Sequence, residues 1–359
     1  MDKGTAVQTG TNGAGARRGR IALFIALNAA VVGVTAFFDF RPENHSMSNR
    51  ALPEINPVYL LLAPVCFALA IASETLKYRV MTAGVTARAP GVRLPFVTAV
   101  LGRYYDNITP FGAGGQPFQI NYLIRRGLLA GEAAAVTITG FLTCQLAFML
   151  MSVPVFIFGS GVIDTAVLFA PAAIGLLFYS AIPAAICLFI VSPGLTGKVL
   201  SAACSLLGKL KLSKDPGALR ERATHTLASS RDGMMAVMRN GGAAASVFAL
   251  SIVYRVCICS MPYFILRAFG SELSYLSALC TCVFIYLCIT FVPTPGNSGV
   301  AEGSFYALFS ALGQERLFWV MLIWRFFSYY LFVLLGFATV SLDNARRRGR
   351  AAARDGGKR

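Results

Sequence analysis

At 359 residues the chain is long enough for two water-soluble domains, yet 56% of it is apolar and 13% charged. That balance argues for one membrane-embedded unit. The formal net charge of +16 would suit nucleic acid, but the cations sit in blocks flanking apolar stretches, which argues against a nucleic-acid partner.

In chain order, a tail over 1–19 reads as disordered, and Arg17, Arg18 and Arg20 precede an apolar run over 21–40. That run is long for a signal-peptide core and no small-residue cleavage site follows it, so a retained anchor is expected. A helix needs roughly 20 apolar residues to cross a bilayer. Further spans are therefore expected over 57–75, 133–158, 166–191, 244–266 and 317–341. With the N-terminus placed in the cytoplasm, 26 of the 32 Lys and Arg fall on the cytoplasmic side, including Lys77, Arg79 and Arg103. Arg41, Arg50, Arg267 and Arg316 fall outside, and Arg255 and Arg325 within spans. This asymmetry predicts a multi-pass protein of the cytoplasmic (inner) membrane with both termini inside. The region 20–342 is taken as one transmembrane domain.

Within it, 192–243 reads as a basic cytoplasmic loop. Val199, Leu200, Ala203, Leu206, Leu207 and Leu210 recur in it at helical spacing opposite Lys198, Lys209 and Lys211. That pattern suits a helix lying in the membrane interface or one packed on its neighbour. The final residues, 343–359, form a basic cytoplasmic tail whose last dozen look disordered, and Arg346 to Arg350 suit anionic headgroups.

Two Gly- and Pro-rich stretches interrupt the apolar sequence, Thr109–Pro117 and Pro293–Gly303. Backbone that stops being helical inside a bilayer is tolerated where it is buried in protein or lines a polar cavity. The basic flanks on both sides of 94–124 predict a re-entrant hairpin with its tip at 110–117. By the same accounting, 274–315 enters and leaves from the outer side with its tip at 293–299. The fold class expected is thus all-α: about six full spans and two opposed re-entrant helical hairpins. Thr109-Pro110 matches Thr294-Pro295, and Gly114 and Gly299 share the same offset, which suits an inverted repeat.

Charges inside a membrane are expensive and mark function by default. Asp106 lies before the first break, Glu302 after the second, and Arg255 and Arg325 in spans. Pairing of the two acids with the two arginines across the centre is expected, either as a static ion pair or as part of a path for a charged headgroup. Glu132 and Asp164 read as interfacial. Gly112, Gly114 and Gly115 suit close backbone approach, and a half-helix starting after them offers N–H groups to phosphate. Asn107, Thr109, Gln116, Gln119, Asn121, Asn297 and Ser298 add neutral hydrogen bonds; Arg103, Arg125 and Arg126 add charge at the inner mouth. Tyr104, Tyr105, Tyr329 and Tyr330 suit a cavity wall or an interfacial belt.

The nine cysteines form no C-x-x-C pair and, with His45 and His225 as the sole histidines, read as small buried residues. No metal and no cofactor is expected. A phosphate-binding loop of the Walker type is absent from the sequence, and neither histidine lies near a break to activate a nucleophile.

The segments from Tyr105 to Gln119 and from Pro295 to Gly303, with Trp324, Arg325, Tyr329 and Tyr330, resemble the transmembrane region of the lysylphosphatidylglycerol synthase (phosphatidylglycerol lysyltransferase) family. The resemblance implies a lipid flippase that carries aminoacylated phosphatidylglycerol to the outer leaflet, with Asp106, Glu302 and Arg325 at its polar centre. Two-domain members add a soluble aminoacyl-transfer domain. This chain ends 18 residues after its last span, so that domain is expected to be missing and enzyme activity is not expected. Gly296 to Gly299 looks more polar than the family's usual form. The substrate is expected to be a membrane phospholipid or a polyprenyl-phosphate lipid. Alternatives are a membrane subunit serving a separate soluble synthase or glycosyltransferase, an intramembrane lipid-modifying enzyme, and a homodimer.

Overall fold

The computed structural model of the chain describes residues 55–86, 88–112, 114–158, 169–209, 216–290, 292–309 and 314–356, with Ala26 and Ala30. These residues are helical throughout, joined by short turns, with no strand among them. The expected span 21–40 otherwise lies outside the described residues, as do the tail 1–19, His45 and Asp164.

The remaining five expected spans correspond to the five described helices long and apolar enough to cross a membrane. The first, α1, runs Pro57–Thr86. It continues well past the expected end at residue 75 because Glu74 and Lys77 neutralise each other inside it, with Lys77 Nζ donating to Glu74 at 2.5 Å. Both are buried, so Lys77 is an interior cation rather than a flanking one. Next come α2 (Arg93–Ile108), a 3-10 turn over Pro110–Gly112, α3 (Gly115–Arg125), and the long helices α4 (Ala130–Phe158) and α5 (Phe169–Val191). Glu132 accepts from the Leu129 N–H at 2.8 Å and so caps the start of α4.

The stretch 192–243 is more structured than a loop. It carries α6 (Pro193–Lys209) and α7 (Pro216–Arg239). α7 lies against α4, where Gly233 approaches Ala135 too closely for a side chain on the glycine, and Met234 and Val237 are buried. Its apolar residues are few, and their contact with α4 rather than their density makes it a packed helix. α8 (Gly241–Ala268) packs along most of α1.

The second interrupted region comprises α9 (Tyr275–Ile289), a 3-10 turn over Pro295–Asn297 and α10 (Val300–Leu308). The last rod is α11 (Gln314–Arg325), a π turn over Phe326–Tyr330, and α12 (Leu331–Gly356). α12 includes the basic run 346–350 and most of the tail expected to be disordered. Alanine and arginine dominate 345–354, and both favour helix strongly enough to propagate an existing one.

Contacts fix the direction of the two hairpins. Asn56, before α1, donates to the Ala268 carbonyl at the end of α8 at 2.8 Å, and α9 begins seven residues later. The second hairpin therefore enters from that end of the bundle. The first hairpin opens at the other end, where Asp343 of α12 pairs with Arg126, just beyond α3, and lies 3.6 Å from Arg93 at the start of α2. The two 3-10 turns meet between them. Two opposed hairpins with touching tips are thus the core of the fold.

The sequence likeness of the breaks has a structural counterpart. Gly112 donates to the Thr109 carbonyl at 3.3 Å, and Asn297 donates to the Thr294 carbonyl at 3.0 Å. Gly114 and Gly299 each stand immediately before the following half-helix. Equivalent turns at equivalent offsets support the inverted-repeat reading.

Candidate functional site: a cavity between the hairpin tips

The first break is held by its own side chains. Thr109 Oγ1 donates to the Tyr105 carbonyl at 2.7 Å and accepts from the Gly114 N–H at 2.9 Å. Asp106 accepts from the Gly115 N–H at 2.9 Å. Pro117 has no N–H to offer. The Gly114 and Gly115 N–H groups at the start of α3 are therefore taken within the turn itself. Gly115 is small because a Cβ there would strike the Asp106 carboxylate and the Gly102 carbonyl. Gly112 has φ +61°, a conformation glycine takes without strain.

Gln119 is spent on structure as well. Its amide donates to Tyr78 Oη at 2.9 Å and to the Thr98 carbonyl at 2.8 Å, tying α3 to α1 and α2. Arg125 and Asn121 are exposed on α3, and neither is among the residues lining the cavity described below. Tyr105 stacks on Phe118 with ring centroids 3.6 Å apart, while Tyr104 is fully buried.

The second break is locked by an ion pair. Glu302 and Arg325 are 2% and 3% exposed, and Arg325 donates to the Glu302 carboxylate. The other Glu302 oxygen accepts from the Gly299 N–H at 2.5 Å, and Arg325 Nη1 donates to the Gly296 carbonyl at 3.0 Å. The pairing expected of Glu302 with Arg325 is present. Thr294 donates to the Ser298 carbonyl at 3.0 Å. The π turn after Arg325 brings Ser328 and Tyr329 to the cavity beside it; such turns recur at functional sites.

A cavity of ≈ 680 Å³ lies between the tips. The first hairpin contributes Asp106, Asn107, Gly112 and Gln116, and the second contributes Thr290, Gly296 and Asn297. Three cations, Arg103, Arg255 and Arg325, face one acid, Asp106, on its wall. Arg103 is therefore interior rather than at the inner mouth, and its guanidinium stacks 4.4 Å from the centre of the Tyr254 ring. Arg255 is held by α4 and α5: it donates to the Cys144 carbonyl at 3.3 Å and to Tyr179 Oη, and lies 4.9 Å from the Phe148 ring centre. Much of the remaining wall is apolar, with Ile138 and Phe141 of α4 and Phe178, Ile182 and Ile186 of α5.

That apolar wall faces outward. Only 11% of the apolar window of α5 is buried, and Phe178 and Ile182 are 57% and 51% exposed while also lining the cavity. A charged chamber with one greasy side open toward the surroundings is the geometry of this site.

The residues point to a family, and a comparison supplies it. The model of the lysylphosphatidylglycerol synthase transmembrane region matches residues 21–336. The chain belongs to that family. No curated protein matches it. The matched region includes both breaks and Arg325, so the elements that build the cavity lie within it.

Sequence reasoning missed Glu74, Lys77, Gln145 and Tyr179 around this site. Glu74 lay inside an expected span and Lys77 three residues on, so an i, i+3 pair of opposite charges within apolar sequence was a usable signal. Nothing in the sequence distinguishes Gln145 or Tyr179 from other membrane-helix residues.

Proposed function

We propose that the protein moves a lipid with a charged headgroup, of which aminoacyl-phosphatidylglycerol is one candidate, across the cytoplasmic membrane, with both termini inside. The observation that carries this reading is the ≈ 680 Å³ cavity shared by both hairpin tips, basic within and apolar along α5. Its surplus of cations over acids suits a phosphate, and the half-exposed Phe178 and Ile182 let acyl chains remain in lipid while the headgroup enters. Inverted hairpins meeting at the centre are the arrangement that allows such a site to open toward either face. Asp106, Asn107, Gln116, Arg255 and Asn297 would contact the headgroup, whereas Glu302 and Arg325 hold the second tip.

Reconstitution in proteoliposomes tests the proposal. Labelled phosphatidylglycerol, its lysyl ester and a polyprenyl phosphate are followed between leaflets for the wild type, Asp106→Asn and Arg255→Gln. Asp106→Asn keeps an acceptor for the Gly115 N–H and removes the charge, so folding should survive. At least tenfold slower movement of one lipid in both variants supports the reading. Movement of none of the lipids by folded wild-type protein refutes autonomous transport and favours a subunit that serves a separate soluble enzyme.

A further inference from the structure

The charges around the cavity do not balance, and the imbalance bears on the headgroup. A side chamber of ≈ 50 Å³ shares Arg103, Asp106, Gln116, Gln145 and Arg255 with the large cavity and reaches Glu74 beyond them. Two of the acids here are already matched. Glu74 accepts from Lys77 at 2.5 Å, and Glu302 accepts from Arg325. Arg103 and Arg255 then stand against Asp106 alone among the described residues, a surplus of one positive charge. The count takes Asp106 as a carboxylate, and a proton on it would only enlarge the surplus.

Uncharged groups hold both guanidiniums. Arg103 donates to Cys144 Sγ at 3.4 Å and stacks on Tyr254. Arg255 donates to the Cys144 carbonyl at 3.3 Å, to Gln145 Oε1 at 3.4 Å and to Tyr179 Oη. Dipoles and ring faces fix the position of a guanidinium without neutralising it. Charge at membrane depth is costly unless it is met by an opposite charge, so an anion completes this site. An amine finds little there. Asp106 is the single carboxylate on the cavity wall among the described residues, and one of its oxygens accepts from the Gly115 N–H at 2.9 Å. Glu74 is 3% exposed and paired with Lys77.

We propose that the site selects a lipid whose headgroup carries net negative charge, an unmodified phosphodiester or phosphomonoester, over the lysyl ester of the same lipid. The inference rests on the transport reading above and names its substrate class. It departs from the aminoacylated lipid that the family resemblance implies. Lysylation adds two ammonium groups to a phosphodiester and turns its net charge positive. That headgroup would meet three guanidiniums, with one carboxylate to receive both amines. An unmodified phosphate cancels the surplus on Arg103 and Arg255 instead.

The test is equilibrium displacement of labelled phosphatidylglycerol from full-length protein in neutral detergent micelles. The competitors are phosphatidylglycerol, its lysyl ester, a polyprenyl phosphate and water-soluble glycerol phosphate. A unit charge about 10 Å from the surplus is worth roughly tenfold in affinity at the effective dielectric of a protein. The wild type should therefore bind phosphatidylglycerol and the polyprenyl phosphate at least tenfold more tightly than the lysyl ester. Gln145→Glu adds a carboxylate where Gln145 already accepts from Arg255, so folding should survive, and it should lower that ratio at least tenfold. Equal or tighter binding of the lysyl ester by wild type overturns the proposal. An unchanged ratio in folded Gln145→Glu also overturns it, because the preference would then come from basic surface segments rather than the cavity. Displacement by glycerol phosphate as effective as by the lipids assigns the site to a soluble phosphate and overturns the lipid class. If Gln145→Glu does not fold, the wild-type ratio decides by itself. Binding is read without any movement between leaflets, so a lysyl-selective protein that still moves lipid sinks this inference and leaves transport standing, whereas a selective protein that moves none sinks transport alone.

Discussion

Breaking the Glu302–Arg325 pair should unfold the second tip before it affects anything else. Both side chains are almost completely removed from solvent, and between them they satisfy the Gly299 N–H and the Gly296 carbonyl. Glu302→Gln keeps the volume and one acceptor oxygen but strands a buried guanidinium. Removing one partner of such a pair typically costs about 3–5 kcal/mol, far above the ~0–1 kcal/mol of an exposed pair. Arg325→Met strands the carboxylate, with the Gly299 N–H as partial compensation, and should cost about 3 kcal/mol. The double variant restores neutrality in a space already shaped for an apolar chain. It should therefore be more stable than the sum of the singles by about 2 kcal/mol or more. Thermal unfolding in detergent gives the three values, and amide exchange over 293–303 localises the loss. Additive single effects would show that the two residues act independently and would refute the pair as the lock of this turn.

Two further outcomes follow from other contacts. A Cβ on Gly175 of α5 would collide with the Leu287 carbonyl of α9, so Gly175→Val should push the two helices apart and cost about 1–3 kcal/mol; an unchanged melting temperature would show that α5 moves freely against α9. Asp343 pairs with the partly exposed Arg126 and lies near the half-exposed Arg93, so Asp343→Asn should cost about 1 kcal/mol at low salt and less at high salt. Stability measured across a salt series checks this, and a loss that salt leaves unchanged would contradict a solvent-screened contact.

The hairpins were legible in the sequence because a bilayer forbids loose backbone. Thr109–Pro117 and Pro293–Gly303 had to be buried, and the charge flanks left one entry side for each. Glu302 and Arg325 were legible by the same cost argument. What stayed hidden depends on contacts between distant segments. α7 is too polar to announce itself, and it becomes a packed helix because Gly233 fits against Ala135 of α4. Gln119 read as a free amide near the site, and its partners Tyr78 and Thr98 are set by tertiary approach. The π turn over Phe326–Tyr330 contains neither glycine nor proline to betray it. Arg103 was placed at the membrane edge from hydropathy, which cannot know that Tyr254 stacks on its guanidinium.

The two tips are built alike but closed by different chemistry, and that difference bears on how the centre works. The second is shut by a matched pair, with Glu302 turned onto Arg325 and its own backbone. Opening it exposes two charges at once, at the several-kcal/mol scale of a buried pair. The first is held by neutral bonds from Thr109 and by one carboxylate oxygen of Asp106 on the Gly115 N–H, a contact worth about 1.5–3 kcal/mol. Asp106 meanwhile faces Arg103 and Arg255 across the cavity. An anion entering there competes directly for the cations that face Asp106; Arg325 lines the same cavity, but its partner Glu302 does not and stays bonded to the Gly299 N–H. On the transport reading, the first hairpin is therefore the tip an entering anion disturbs at the lower cost, since displacing Glu302 from Arg325 also breaks a buried pair.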